Sequence, residues 1–199
     1  MMHRIVVVFT VACLAGGPPA WSQPHEEGWE RYLDGYRGPY RGRVIDADTK
    51  APLVGAVVVA YWSRDRTMPF HSVNEAYAVR ETVTDADGRF ELSGRDVEEG
   101  APRRTRRPEF HIFRPGYGAY PWYQRAPSGL LRGVFERPDT TVELPRLDSR
   151  QRRVESLDKL EPHRFSRRPF RDVPQLTQAF NEERAALGFD PLPDMEIPE

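Results

Sequence analysis

Between residues 40 and 147 the chain is written in short runs of alternating or wholly apolar character, separated by turn residues. Residues 41–46 alternate, and the turn-rich Asp48-Thr49-Lys50-Ala51-Pro52 follows. Residues 54–62 (VGAVVVAYW) hold no charge and are dense in β-branched and aromatic side chains, the profile of a strand buried on both faces or nearly so. Residues 78–84 alternate again, Asp85-Ala86-Asp87-Gly88 turns the chain, and residues 89–92 continue it. A glycine that supplies positive φ before an alternating run predicts a hairpin there. Residues 109–113, stopped by Pro115-Gly116, and residues 140–144, closed by Pro145, complete the set. Short strands at this spacing, with no helical period between them, predict an all-β fold built as an antiparallel sandwich. Residues 63–77, 93–108 and 117–138 interrupt the pattern, and loops this long are expected to be binding elements or to lack order.

Beyond residue 147 the period changes. Residues 150–160 place Val154, Leu157 and Leu160 on one helical face. Asp172-Val173-Pro174 reads as the opening of a second helix, with Asp172 as N-cap, proline in the first turn, Leu176, Phe180 and Leu187 along one side, and Gly188 as the stop. Residues 190–199 are acidic and punctuated by proline, a frayed end. The extension over residues 148–199, with one or two short helices, is too small to hold its own core. It is expected to pack on the sandwich or to serve as a partly disordered linker and docking segment.

At the other end, Met1 to Arg4 is a short positive start, and residues 5–15 are apolar apart from Thr10. Glycine and proline follow, then Ala20-Trp21-Ser22, with small residues at the two positions a signal peptidase inspects. This predicts a signal peptide over residues 1–22, cleaved between Ser22 and Gln23, and an N-terminal segment over residues 23–39. The run is too short to span a bilayer, so no transmembrane segment is expected after cleavage, and the chain is expected to be exported to the periplasm or beyond. The minority alternative is an outer-membrane lipoprotein acylated at Cys13, although Thr10 stands where such sites usually carry leucine.

Composition narrows the classes further. Cys13 is the single cysteine of the 199 residues, which excludes an intramolecular disulfide framework and a zinc site built on several thiolates. Nineteen prolines and fifteen glycines argue against a helical bundle. A formal charge of −1 excludes a bulk basic nucleic-acid binder, so no nucleic-acid partner is expected. Charge is nevertheless blocked: residues 95–171 carry 18 basic and 11 acidic groups, and residues 172–199 carry 1 and 7. The two blocks could attract each other, or the basic one could face an anionic surface.

Gly42-Arg43-Val44 with Asp46, Thr49 and Pro52-Leu53, then Gly55-Ala56, then Thr84-Asp85 with Gly88 and Phe90, and finally Arg114-Pro115-Gly116-Tyr117 form an ordered set of short motifs. Over residues 40–147 this set resembles the carboxypeptidase regulatory-like domain, whose pattern runs G-x-V, D-x-x-T-x-x-P-L, G-A-x-V, T-D-x-x-G-x-F and K/R-P-G-Y. The resemblance implies a seven-stranded, transthyretin-like Greek-key sandwich. It also implies a non-catalytic module of the kind attached to exported enzymes, receptors or surface proteins. The motif residues would be structural. Two long insertions, at residues 63–77 and 93–108, depart from the compact pattern.

Little in the chain points to catalysis. His25, His71, His111 and His163 lack the close spacing of a metal site. Arg107-Pro108-Glu109-Phe110-His111-Ile112 resembles the R-P-A-H-I-H iron-binding strand of intradiol dioxygenases, which hold ferric iron with two tyrosines and two histidines, but Phe113 stands where the second histidine belongs. Asp46, Asp48, Asp85 and Asp87 are oxygen donors whose expected use is Asx-turn capping rather than calcium. No G-x-S-x-G elbow or glycine-rich phosphate loop is present, and no cofactor or metal is expected. The best candidate surface joins Tyr117, Tyr120, Trp122 and Tyr123 to Arg103, Arg104, Arg106 and Arg107, since aromatic faces and guanidinium groups bind sugar rings or partner chains. The competing use of those aromatics is to plug the open end of the sandwich. The expected function is therefore an exported, non-enzymatic module that binds a protein, a glycan or another envelope component. An intradiol-type ferric enzyme and a purely structural periplasmic spacer are the alternatives.

Overall fold

The computed structural model describes residues 39–67, 72–100, 107–123, 130–131, 134–135, 139–166 and 169–194. The expected signal peptide, its cleavage point at Ser22 and Gln23, the alternative anchor Cys13, and residues 23–38 lie outside them. In chain order the elements are β1 (Tyr40–Asp46), β2 (Val57–Thr67), β3 (Ser72–Val83), β4 (Arg89–Leu92), α1 (Arg95–Glu99), β5 (Glu109–Phe113), β6 (Leu130–Leu131) and β7 (Val134–Phe135). They continue with β8 (Thr140–Leu144), α2 (Arg150–Leu160), α3 (Pro169–Asp172) and α4 (Pro174–Ala186), with a 3-10 turn at Pro162–Arg164. Six of the strands form two sheets, β4-β1-β8 and β3-β2-β5, while β6 and β7 make a two-residue ribbon. Among the described residues strand thus exceeds helix, and most of it lies in two sheets.

Strand positions follow the alternation, but three pairings differ from expectation. β1 runs antiparallel to β4 and parallel to β8, so the first sheet is mixed rather than purely antiparallel. β2 and β3 form one long hairpin that takes up most of the loop expected at residues 63–77, with a bulge between Trp62 and Ser63. The apolar run stops at Trp62, yet the ladder continues through Arg64 because backbone pairing needs only the amides and carbonyls. The Asp-Gly turn at residues 85–88 does not close a hairpin. It carries the chain from one sheet to the other. The physical reason is Gly88, whose carbonyl accepts from the Val44 amide at 2.8 Å and whose φ is +73°. A side chain there would strike the Val44 carbonyl, so this turn is shaped to lay β4 against β1.

Two cores result. Between the sheets lie Val44, Val58, Ala60, Trp62, Phe90, Phe110, Ile112, Val142 and Leu144, closed at one end by Tyr40, whose ring meets Phe110 edge-on at 4.9 Å. Val97 of α1 joins this core, so part of the loop expected at residues 93–108 is helical and inserted. On the other face of the second sheet, Val57, Val59 and Phe113 pack against Leu157, Leu160, Phe165, Leu176 and Phe180 of the C-terminal segment. Alternate residues of β2 therefore enter different cores, which is why an uncharged run suits this strand. Each large side chain so buried contributes about 1.5–3 kcal/mol.

Polar ties fix the helical layer to the sheet. The Ser156 hydroxyl accepts from the Ala119 amide at 3.0 Å, while within the layer Arg150 donates to the Leu187 carbonyl at 3.0 Å. Glu183, 1% exposed, receives both arms of Arg153 at 2.6 Å and the Gly116 amide at 2.8 Å. This contact is one place where the basic block and the acidic tail meet. Asp172 is not the N-cap the sequence suggested: that position is Val173, which has no capping side chain, and Asp172 instead accepts from the Ser166 hydroxyl. The cap comes from the sheet. Glu81 of β3 accepts from the Gln175 and Leu176 amides at 2.7 and 3.0 Å, satisfying two orphan donors at the start of α4. At the other end Gly188, with φ +78°, stops the helix as expected.

Candidate functional site

Most residues of the ordered motif set lie in the turns that follow β1, precede β2 and follow β3, where they hold backbone, while Gly42 and Phe90 face each other within the β1–β4 ladder. Asp46 Oδ1 accepts from the amides of Asp48 and Thr49 at 2.8 Å, and its Oδ2 accepts from the Tyr117 hydroxyl at 3.0 Å. Burial opposes ionisation of Asp46, but these donors outweigh it and hold the carboxyl below its ordinary value. Thr84 donates to the Leu53 carbonyl at 2.6 Å and accepts from the Ala56 amide at 2.8 Å, tying the β3 end to the turn before β2. Asp85 Oδ1 accepts from Asp87 and Arg89 amides at 2.9 and 2.8 Å, so the two Asp-Ala-Asp turns are Asx turns, as the sequence suggested. Gly42 lies where a side chain would come within 2.6 Å of the Thr140 carbonyl and of Phe90, so the sheet requires glycine there. Pro52 forms an isolated bridge with Ile45, Gly55 turns at φ +72°, and Pro115 precedes Gly116, whose φ is +82°.

The expected aromatic surface is not assembled as a surface. Tyr120 is wholly buried in the inter-sheet core, because its antiparallel bridge to Ile112 makes it a strand position with an inward side chain. A side chain so placed is out of reach of a partner at the surface. Tyr117 is half-buried and directed to Asp46; burial first and the Asp46 carboxylate second raise its pKa. Tyr123 is half-buried over Gly118, its hydroxyl donates to the Arg152 carbonyl at 3.4 Å, and the Lys159 ammonium sits 5.1 Å from its ring. Trp122 alone of the four is exposed, at 38%. Arg107 is half-buried, while Arg103, Arg104 and Arg106 lie outside the described residues.

Trp122 covers His111. The two rings lie 5.2 Å apart at 33°, and the Phe165 ring lies 4.7 Å from the imidazole at 58°. His111 is 9% exposed, and its Nδ1 has no hydrogen-bond partner among the described residues. Burial, with the Arg164 guanidinium adding to it, lowers its pKa to about 4, so the imidazole is neutral near pH 7. Periodicity identified His111 as a strand residue, but its cover was not legible, because Trp122 is brought there by a turn. The donors for an intradiol-type site are separated: His111 faces the helical layer, and Tyr120 faces the inter-sheet core. Among the described residues no group of three or more His, Cys, Asp or Glu is placed to hold a metal ion.

A second site, absent from the sequence reading, lies on the outer face of the β4-β1-β8 sheet. A groove of about 530 Å³ is lined there by Arg41, Arg43, Asp85, Arg89, Asp139 and Thr141, among others. The signal existed in the sequence as alternate arginines in residues 41–43 and Arg89. Only the register places Arg43 opposite Arg89.

No family model matches this sequence, and no curated protein does. Among solved structures, a 9R-lipoxygenase from Cyanothece is similar over 74% of this chain and 24% of its own length, at 15% identity and a TM-score of 0.27. That superposition is too loose to bear on fold or chemistry.

Proposed function

We propose that this chain is an exported, non-catalytic sandwich module of the carboxypeptidase regulatory-like kind, binding a protein or glycan of the cell envelope at the rim around Trp122. The observation that carries this reading is how the reactive-looking groups are used. Asp46, Thr84, Asp85 and Tyr117 are all engaged in holding turns, whereas an indole is left facing solvent. Exposed tryptophan is costly in water and favoured at recognition surfaces. The transthyretin-like topology is supported by the six strands in two sheets, the parallel β1–β8 pair, and the Tyr120 bridge beside β5, which stands where a seventh strand would run. Export rests on the apolar run and small-residue site at residues 1–22.

The test is cosedimentation of the chain with isolated envelope fractions. Trp122→Leu removes the indole while keeping an apolar cover over His111, so its thermal melt should match the native one. Binding is expected to fall about tenfold in that variant. Undiminished binding would reject the rim as the surface. Absence of binding by either form would favour a structural spacer instead.

A further inference from the structure

The second sheet is covered on both faces, but among the described residues no element covers the outer face of the first. On that face the β1–β4 register sets Arg41 opposite Glu91, and their side chains pair at 3.1 Å. The next outward-facing pair is Arg43 opposite Arg89, with Thr141 of β8 on the other side of Arg43. Like charges directly across a ladder are destabilising. Arg43 directs its Nε to the Asp87 carbonyl at 2.8 Å, and neither Arg43 nor Arg89 is paired with a carboxylate among the described residues. Arg43 and Arg89 thus line one groove with the Thr141 hydroxyl, the carboxylates of Asp85, Glu91 and Asp139, the Arg41 guanidinium that pairs with Glu91, and apolar surface from Val83 and Phe90.

Each group narrows the ligand. A planar oxyanion seated between two guanidinium groups makes charge-assisted, bidentate bonds and relieves their repulsion. Asp85 and Asp139 line the same groove and would repel a dense polyanion. As acceptors beside the Thr141 hydroxyl they suit a ligand rich in hydroxyl donors. The volume falls in the range of sites for small organic ligands rather than lone ions. One carboxylate per polyhydroxylated ring meets all three conditions.

We propose that the outer face of the β4-β1-β8 sheet binds an acidic saccharide, with Arg43 and Arg89 gripping its carboxylate and Thr141, Asp85 and Asp139 meeting its ring hydroxyls. This site is separate from the rim at Trp122 and does not depend on it.

Calorimetric titration of the full chain with trigalacturonate, maltotriose and tripolyphosphate tests the assignment. Trigalacturonate should bind with an affinity that falls as salt is added, and maltotriose should not bind. Arg43→Gln with Arg89→Gln should weaken trigalacturonate at least about tenfold, while Trp122→Leu should leave it unchanged. Arg89→Gln alone should melt no lower than the native protein, because it removes a like-charge contact. A melt clearly below native would make Arg89 a structural group and overturn the proposal. So would an unchanged isotherm in the double variant, failure of trigalacturonate to bind at millimolar concentration, or tripolyphosphate binding as tightly as the saccharide.

Discussion

His111 is a titratable group placed where only its neutral form is comfortable. Its folded pKa of about 4 lies below the ordinary value of 6.5, so the unfolded chain takes up the proton more readily. The stability this neutral imidazole permits is complete above about pH 6.5 and is lost as pH falls through that value toward 4, reaching about 3 kcal/mol. Below pH 4 the loss levels off, since both states are then protonated. Removal of the cover should reverse the effect. In Trp122→Ala the His111 pKa is expected to rise toward 6.5, as read by the imidazole proton shifts in an NMR titration. A pKa that stays near 4 would assign the burial to Phe165 and the helical layer instead.

At the scale of elements, α4 shows how a helix can take its start signal from a distant strand. Pro174 sets the first turn, but the side chain that meets the free amides belongs to Glu81, near the C-terminal end of β3. Burial outweighs the two amide donors and raises the Glu81 pKa, so charging this cap carries a cost in solvation. Glu81→Ala should lower stability by about 1–2 kcal/mol, seen as a shift in denaturant midpoint with an unchanged slope. An unaltered midpoint would mean that the apolar face of α4 alone positions it. The Arg153–Glu183 pair secures the same helix further along, and there the carboxylate is so deeply buried that loss of its partner would leave an uncompensated charge.

Over the whole molecule, the C-terminal segment is a third layer rather than an appendage. Without it, Val57, Val59, Phe113 and Ala119 would form an exposed apolar face on a sheet built to be covered. A chain truncated to residues 39–147 is expected to lose its cooperative melt and to bind a hydrophobic dye, whereas one carried to residue 194 should do neither. Cooperative folding of the shorter chain would show that the sandwich is self-sufficient. Among the described residues the layer also makes the two sheets unlike: one is closed on both sides, and the other presents its arginine ladder outward.

Much of this was legible from local rules. Alternation, β-branched runs and turn residues located the strands at 41–46, 78–84, 89–92, 109–113 and 140–144, because side-chain direction in a strand repeats every two residues wherever the strand sits. The same rules located α2 and α4 and the stop at Gly188. Partnership was not legible, because it depends on which backbone a turn approaches. Gly88 packs against Val44 and sends β4 to the other sheet, where the local signal called for a hairpin. By sequence Tyr120 and Trp122, two residues apart, belong to one surface, yet a single bridge sends one into the core and leaves the other over His111. The sequence by itself determined the cores of most strands, the two longer helices and which turns need glycine or aspartate. Only the tertiary structure decided what each covers, since burial, register and the pairing of charges depend on residues far apart in the chain.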